Sequence, residues 1–558
     1  MAHKPRKTVV AAGLAAALLG TAVLPSAAAP PAFTLSSADS AAPGHPGGPS
    51  VAFSLAAAPS SADAKAAEAS GPAAPGMPKN WRRAIGEMGI MAAYATWRYW
   101  SAYHDWIEDW QFELTFEDQF RRFLTTEAIR FDSNAYHVNW THVQAGSFYY
   151  QLARTNYLTW AESTLATFAS SLFYEYVSEW REVISINDMI VTTFAGAALG
   201  EAWFQLGDYF HHQKSKTLRA LGFINPFNEM NQYIDRKNPA SRVYPAAGWH
   251  EFALSAGWRG TSETGRGSFD TGYLSFDSQI VRPSSYGRPG VFRKTLRDTS
   301  MSELSLEVAL RDRPQGEEHL NDGYAEEWDL TTRIVGLAWY RQDIDPLGRG
   351  HALSFGLGSA LTYLRKRAVL YDSRSVQVKL DPLPETPTDF RDKMTVAHII
   401  GPVLDWTRFG RGLRFRLVAD AYLDFAQMGS FAFNAYSAAQ SIEGMKTTLN
   451  YYGYHYAYGA STSVRMDLFW GNLWLRGLAS AHIWDSWDGL DRFQDELTND
   501  VSAVDTRTRY LVKAGWTIPS ISVRAFVALE GIHRWGEIGD ITAASQETRT
   551  FAGVSYLF

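Results

Sequence analysis

The chain contains no cysteine, which removes disulfides, thiolate metal sites and thiol nucleophiles from consideration together. Its formal net charge of −6 over 558 residues is too modest to point to nucleic acid. No Gly-x-Ser-x-Gly elbow, phosphate-binding Gly-Lys-Ser/Thr loop or His-Glu-x-x-His motif occurs, so neither a cofactor nor a metal is expected. His211-His212 is the one adjacent histidine pair, and at a helix end such a pair reads as exposed C-terminal cations rather than ligands. Long apolar runs are scarce as well. One, from Val9 to Leu24, follows Lys4, Arg6 and Lys7 and precedes Ala27-Ala28-Ala29, the pattern of a secretory leader over 1–29. The stretch 30–79 is Ala, Pro, Ser and Gly with few large apolar residues, and it cannot bury a core.

What is abundant is aromatic residues, at 14% of the chain, as interfacial girdles or a carbohydrate-binding surface would require. The hydrophobic period changes near residue 245. Helical spacing holds from Asn80 to Asp235, and alternation begins at Trp249. From Leu413 to Asp424 one face carries Leu413, Phe415, Leu417, Ala419, Ala421 and Leu423, while Arg414, Arg416, Asp420 and Asp424 fall on the other. Ala460 to Trp470 and Leu473 to Trp484 repeat the arrangement, placing Arg465, Asp467, Arg476 and His482 on the polar side. Similar runs near 249–259, 269–281, 302–311, 327–341, 351–364, 394–408, 506–518, 520–533 and 547–558 bring the total to about twelve. Many exceed the roughly 5–6 residues of a globular strand and suffice for the roughly 9–11 that cross a bilayer. Short turns alternate with long polar segments such as 312–324, 372–393 and 487–505. The expected fold is α+β: a helical domain over 80–244, then an antiparallel transmembrane β-barrel of about twelve strands over 245–558.

The stretch from Glu547 to Phe558, with Tyr556 and Phe558 on one face, resembles the closing strand of bacterial outer-membrane β-barrels. That resemblance implies an insertion signal at Tyr556 and Phe558, with outer-membrane lipids and the barrel-insertion machinery as partners and the outer membrane of a Gram-negative bacterium as location. The inward residues of such a barrel, Arg414, Arg416, Asp420, Asp424, Arg465, Asp467, Arg476, His482, Arg507, Arg509, Lys513, Arg524 and Glu530, mix both signs. They either close the lumen as salt-bridge ladders or line a weakly selective path.

The helical region holds the candidate chemistry. Segments 161–180 and 186–210 are strongly apolar, with Glu201 interrupting Met189 to Phe204, so a lipid-facing span is disfavoured. The expectation is that these helices pack in the lumen as a plug or beneath the periplasmic mouth. His142, Ser147, Ser163, Glu175 and Asp188 are the candidate catalytic residues, His142 or a carboxylate acting as base and a serine as nucleophile. Tyr150, Arg154, Glu162, Glu179, Asn187 and Glu201 form the alternative, a structural polar network that fixes helix register. Glu175, Glu179 and Glu182 also read as an acidic stripe that solvent could cover. The structural reading is favoured over an enzyme, because no local hydrolase signature accompanies these residues. The His-x-Ser-Asn-Gly motif of outer-membrane phospholipases is absent too.

The series His142, Gly146, Ser147, Tyr149, Tyr150, Ala153, Arg154, then Glu162-Ser163, Glu175, Glu179, Ser185-Ile186-Asn187-Asp188, Thr192-Thr193, Gly196, Gly200-Glu201 and Asn225-Pro226-Phe227-Asn228 resembles the bacterial domain-of-unknown-function family 3943. The likeness covers about 130–235. Val143 and Tyr157 depart from its pattern, which has a proline and a glycine there. The resemblance implies an exported, envelope-associated protein. Two functions follow from the whole: an envelope-structural barrel or one passing a small solute or lipid, and an outer-membrane lipid-modifying hydrolase.

Overall fold

The computed structural model describes residues 78–102, 111–132, 139–235, 247–311, 318–319, 325–367, 369–370, 388–389, 392–446, 448–449 and 453–558. Residues 1–77, which hold the expected leader and most of the expected linker, and much of segments 312–324 and 372–393 therefore lie outside the described residues.

Among the described residues, twelve long strands and a short one follow the N-terminal helices. They are β1 (Trp249–Glu263), β2 (Gly267–Val281), β3 (Gly290–Leu296), β4 (Met301–Leu310), β5 (Ala325–Ile344), β6 (Gly350–Lys366) and β7 (Lys393–Gly410). The remainder are β8 (Leu413–Gly429), β9 (Tyr454–Trp470), β10 (Leu473–Ser486), β11 (Ala503–Ile518), β12 (Val523–Ile538) and β13 (Ile541–Leu557). Twelve of them form a closed antiparallel ring, with β13 sealing onto β1 in the register Leu557↔Ala253 to Glu547↔Glu263. The thirteenth, β3, continues the line of β4 along the far end of β5, pairing Gly290 with Ile344. Sequence alternation missed it because the strand is short and carries Arg293-Lys294 in its middle.

Alternation assigns the two faces. Leu423, Val512 and Val527 point outward with 64%, 63% and 59% of their surface exposed, whereas Arg416, Glu530 and Arg549 point inward and are buried. The hairpins at one end are tight, such as those around Gly412 and Gly471, whose φ values of +69° and +56° suit residues without a Cβ. Longer connections gather at the other end.

The helices are α1 (Trp81–Ala102), α2 (Phe116–Leu124), α3 (Trp140–Thr155), α4 (Trp160–Phe173), α5 (Ile186–Ile190), α6 (Gly196–His211), α7 (Lys216–Ala220) and α8 (Pro226–Ile234). A π turn, Tyr174–Ser178, prolongs α4, and a second, Val191–Ala195, joins α5 to α6. Starts are set by local chemistry. Thr159 and Glu162 make a capping box on α4, Ser185 caps α5, and Asn225 with Pro226 opens α8.

The expected position of these helices, in the lumen or under its mouth, is corrected by the barrel residues they touch. Ser302 of β4 donates to Gln205 of α6 at 3.0 Å, and Ser302 stands on the face opposite the luminal Glu303. Phe210 stacks on Phe252 and Phe131 on Phe425, again outer-face positions. Wall residues Ile334, Leu361, Ala397 and Phe425 are 0–1% exposed, although their strand faces are those that elsewhere stand open. The helical subdomain is thus clamped to the outside of the barrel and is not a luminal plug. The wall residues under it are as apolar as the uncovered ones, so alternation does not distinguish a helix from lipid as the covering layer.

Candidate functional site

Close backbone approach organises the helical core. A Cβ on Gly146 of α3 would lie 1.9 Å from the Thr192 carbonyl oxygen, and one on Gly196 would lie 2.6 Å from the Gly146 Cα. Only glycine fits at either point, and α3 is thereby seated on the helix carrying Glu201.

Glu201 is fully buried and collects four donors. Tyr150 Oη donates at 2.7 Å, Arg154 Nε at 2.8 Å and Nη2 at 3.2 Å, and Gln205 Nε2 at 2.7 Å. Arg154 also reaches Asp298 Oδ2 at 3.1 Å, in the gap between β3 and β4, and the Leu158 carbonyl at 2.8 Å. The sequence reading named neither: Asp298 comes from a strand break, whereas Gln205 stands one turn after Glu201 on the same face of α6, an i,i+4 spacing that could have marked it. Tyr157 adopts φ +70°. Its hydroxyl donates to Asp235 at 2.8 Å, a bond that glycine lacks, against a backbone strain of about 1–2 kcal/mol.

A second cluster lies toward the long-loop end. His142 Nδ1 is 3.5 Å from Asp188 Oδ1. Glu175 accepts the Ser185 amide at 2.9 Å, Asn187 Nδ2 donates to Asp188 at 2.9 Å, and Asn187 Oδ1 accepts the Asp132 amide at 2.9 Å. The predicted solvated stripe is corrected: Glu175 and Glu182 are 1% and 7% exposed. The π turn disrupts the i,i+4 spacing and leaves helix-end carbonyls unbonded. Arg122, fully buried, answers them by donating to the carbonyls of Glu175, Tyr176, Glu179 and Glu182 at 2.5–3.0 Å. Arg492, from the β10–β11 connection, pairs with Asp132 at 2.5 Å and Glu182 at 3.1 Å. Arg122 and Arg492 act over long sequence separations, and no local pattern marks them.

The remaining candidates are dispersed. Ser147 donates to the Gln144 carbonyl at 2.8 Å, and the buried Ser163 hydroxyl has no hydrogen-bond partner. The serine–histidine pair that a hydrolase needs is therefore not assembled from these residues. Glu162 serves the capping box and pairs with Lys79 at 2.7 Å, apart from both clusters. His211 is corrected from exposed to buried, with Nδ1 2.5 Å from Glu229, and His212 Nδ1 bonds the Asp208 carbonyl at 2.8 Å. Among the described residues, no group of three or more His, Asp or Glu is placed to hold a metal.

The lumen is the third arrangement. The inward residues read from the sequence share its face, and pairs cross it. Arg509 and Asp329, six strands apart in the ring of twelve, are 3.6 Å apart. Glu303 of β4 binds Arg465 of β9 at 2.7 Å and Arg416 of β8 at 3.2 Å, and it also binds its neighbour Arg333. Arg549 meets Glu327 at 2.9 Å, Lys366 meets Glu547 at 2.7 Å, and Arg414 meets Glu251 at 3.3 Å. A cavity of about 270 Å³ remains, lined by Ser305, Thr331, Ser463, Ser480, Arg507 and Lys513 among others. Tyr556 lies on the outer face, and Phe558 packs on Phe252 with ring centroids 5.6 Å apart.

A closed antiparallel ring with apolar exterior and charged interior, preceded by a helical region, is the architecture of an outer-membrane β-barrel. Residues 128–227 match a family described as Domain of unknown function (DUF3943). No curated protein matches the chain. Among solved structures, similar chains include the loop L8 deletion mutant of OmpT from Vibrio cholerae, at 8% identity and TM-score 0.20, covering 56% of this chain and 99% of that one. Outer membrane protein opdK from Pseudomonas aeruginosa is another, at 10% identity and TM-score 0.17, with 56% and 99% covered. A third is Salmonella typhi OmpF in complex with daunomycin, at 8% identity and TM-score 0.19, with 55% and 97% covered. These superpositions are loose, and the architecture rests on the strand register and the two faces of the wall.

Proposed function

We propose that the protein is a sealed outer-membrane barrel with a role in envelope structure, carrying the helical subdomain on its outer wall rather than passing solutes through its lumen. The observation behind this reading is the set of ion pairs that join opposite walls, above all Arg509 to Asp329 and Glu303 to Arg465 and Arg416. These pairs bridge the lumen beside a cavity of about 270 Å³ and leave only part of each side chain open to it, so separating a pair costs the attraction and hydrogen bonds it makes. A solute crossing the lumen has to break several at once.

Planar-bilayer recording on the purified full chain tests the proposal. A sealed lumen gives no reproducible conductance steps. Regular single-channel steps from the unaltered protein would refute it and return the transport reading to first place. The hydrolase reading receives no comparable support, since no candidate serine meets His142.

A further inference from the structure

We infer that the helical subdomain lies within the bilayer beside the barrel, with the outward faces of α1 and α4 in contact with lipid acyl chains. This rests on the barrel's being in the membrane and is independent of whether its lumen is sealed.

The subdomain buries charged groups beside its apolar core and turns large apolar residues outward on two of its helices. Its buried positions are rich in polar groups, including Arg122, Arg154, Glu175, Asn187, Asp188 and Glu201, each at most 2% exposed. Along α1 and α4 its exposed positions are mostly apolar, whereas the charged exposed residues Glu113, Glu117, Arg121 and Glu127 gather at α2. Along α1 the outward residues from 85 to 97 are Ile85, Gly86, Gly89, Ile90, Ala93, Tyr94 and Trp97, with Ile90 74% and Trp97 63% exposed. The outward side of α4 and its π turn presents Leu165, Phe168, Leu172, Phe173 and Val177, all 37–63% exposed. A soluble domain hides such residues and rarely shows a contiguous apolar face of this extent. In hydrocarbon the same distribution is the stable one, since polar groups then turn inward to find partners.

Dimensions and ends agree. On the outward face of α1 the uncharged stretch between Arg82 and Arg98 spans roughly 24 Å at 1.5 Å per residue, within the ~30 Å hydrocarbon thickness. Glu87 turns inward beside Arg83, and charge returns to that face at Arg82 beside Trp81 and Arg98 beside Trp97, the pairing of aromatic anchor and snorkelling cation found at bilayer interfaces. The patch is also continuous with a surface that already needs lipid, because the strands to which the subdomain is clamped expose Trp258, Leu274, Phe355 and Leu423 on the uncovered parts of the same outer face.

No helix among the described residues is long and apolar enough to cross a membrane on its own. The helices other than α1 are at most 16 residues long, and in α1 the polar groups turned inward and the arginines near its ends lower the mean hydropathy while partners satisfy the inward ones. Thr96 Oγ1 and Ser178 Oγ are 2.6 Å apart, and Trp100 Nε1 donates to the Ser178 carbonyl at 2.8 Å. Such contacts between helices replace water.

The absence of native cysteine makes the test direct. Single variants Ile90→Cys, Leu165→Cys and Leu172→Cys are spin-labelled in the full chain, refolded into phosphatidylcholine liposomes, and compared with Val512→Cys on the open wall and Glu443→Cys on a loop. Collision rates are measured with oxygen, which concentrates in lipid, and with a polar nickel chelate, which does not. The inference expects an oxygen-to-nickel ratio at the three helix sites equal to that of Val512→Cys and several-fold above that of Glu443→Cys. Nickel access at the helix sites, with Val512→Cys remaining lipid-like, overturns it. Low collision with both reagents overturns it as well, because that result means protein covers the face. Nickel access at Val512→Cys would remove the barrel reading and this inference together. Heat-modifiable gel mobility confirms that each variant is folded, and three separate sites guard against the failure of one.

Discussion

Replacing Glu201 with alanine should uncouple the helical subdomain from its own core while leaving the barrel intact. The substitution removes an acceptor with four donors and strands Arg154, which is 2% exposed. Truncating one partner of a buried ion pair typically costs 3–5 kcal/mol. Arg154 keeps Asp298 at 3.1 Å and the Leu158 carbonyl at 2.8 Å, so the lower end of that range applies, about 3 kcal/mol. If α6 opens by local unfolding, that loss accelerates its amide exchange on the order of a hundredfold. Hydrogen-exchange mass spectrometry on the folded chain in micelles reads it from peptides covering 196–211, with 523–538 on the far wall as reference. The reference peptide should not change. Combining Glu201→Leu with Arg154→Met removes both charges and should restore much of the protection, because apolar replacement of a whole buried pair is often neutral or stabilising. Exchange in α6 of Glu201→Ala within a few-fold of the unaltered protein would refute the reasoning. Equal loss in 523–538 would show that the subdomain and barrel unfold as one unit.

Three further outcomes are expected. Gly146→Val places atoms where a Cβ already lies 1.9 Å from the Thr192 carbonyl oxygen, so α3 must retreat by about 1.5–2 Å to reach ordinary contact; limited proteolysis should then cut within 139–235 while the barrel keeps its heat-modifiable band. Glu303→Ala leaves Arg333, Arg416 and Arg465 facing one another across the lumen with one carboxylate fewer; bilayer recording should show a leak that the unaltered protein lacks, and an unchanged baseline would count against the luminal hub. The third concerns pH at the loop that grips the subdomain. Burial, with Asp500 and Asp488 adding to it against Lys446, pushes the Asp491 carboxyl up to about 6. The folded loop then binds a proton more tightly than the unfolded chain, so its stability falls as pH rises from the ordinary aspartate value of about 4 through 6. Protection of peptides in 487–502, corrected for intrinsic exchange, should be greater at about pH 5 than at about pH 7, and Asp491→Asn should flatten the difference.

The barrel was legible because a strand with one wet and one apolar face writes its period directly into the sequence, as Leu413 to Asp424 does. Its closure was legible too, since twelve such runs leave no free edge. The docking of the helices was not. Leu361 and Phe425 lie under helices and Leu423 stands open, yet all three are apolar residues at outward positions. In the helical region the sequence marked the polar residues without their grouping. Glu201 found Arg154 within the helical segment, but Arg122 and Arg492 reach the second cluster from elements 60 and 360 positions away from their partners Glu182 and Asp132. The π turns added to the difficulty, because they shift which residues share a face after Tyr174.

The stack of Phe210, Phe252 and Phe558 bears on the order of assembly. Phe252 sits on the first wall strand, Phe558 follows the closing strand, and Phe210 ends α6. Until β13 has zipped onto β1, Phe558 is not held beside Phe252, and the lower end of the α6 seat is unfinished. The helices, although first in the chain, complete their docking only on a shut ring. The closing strand therefore contributes a ring to the lower edge of the α6 seat, and loss of Phe558 is felt by Phe252 and the helix end it supports as well as by the seam.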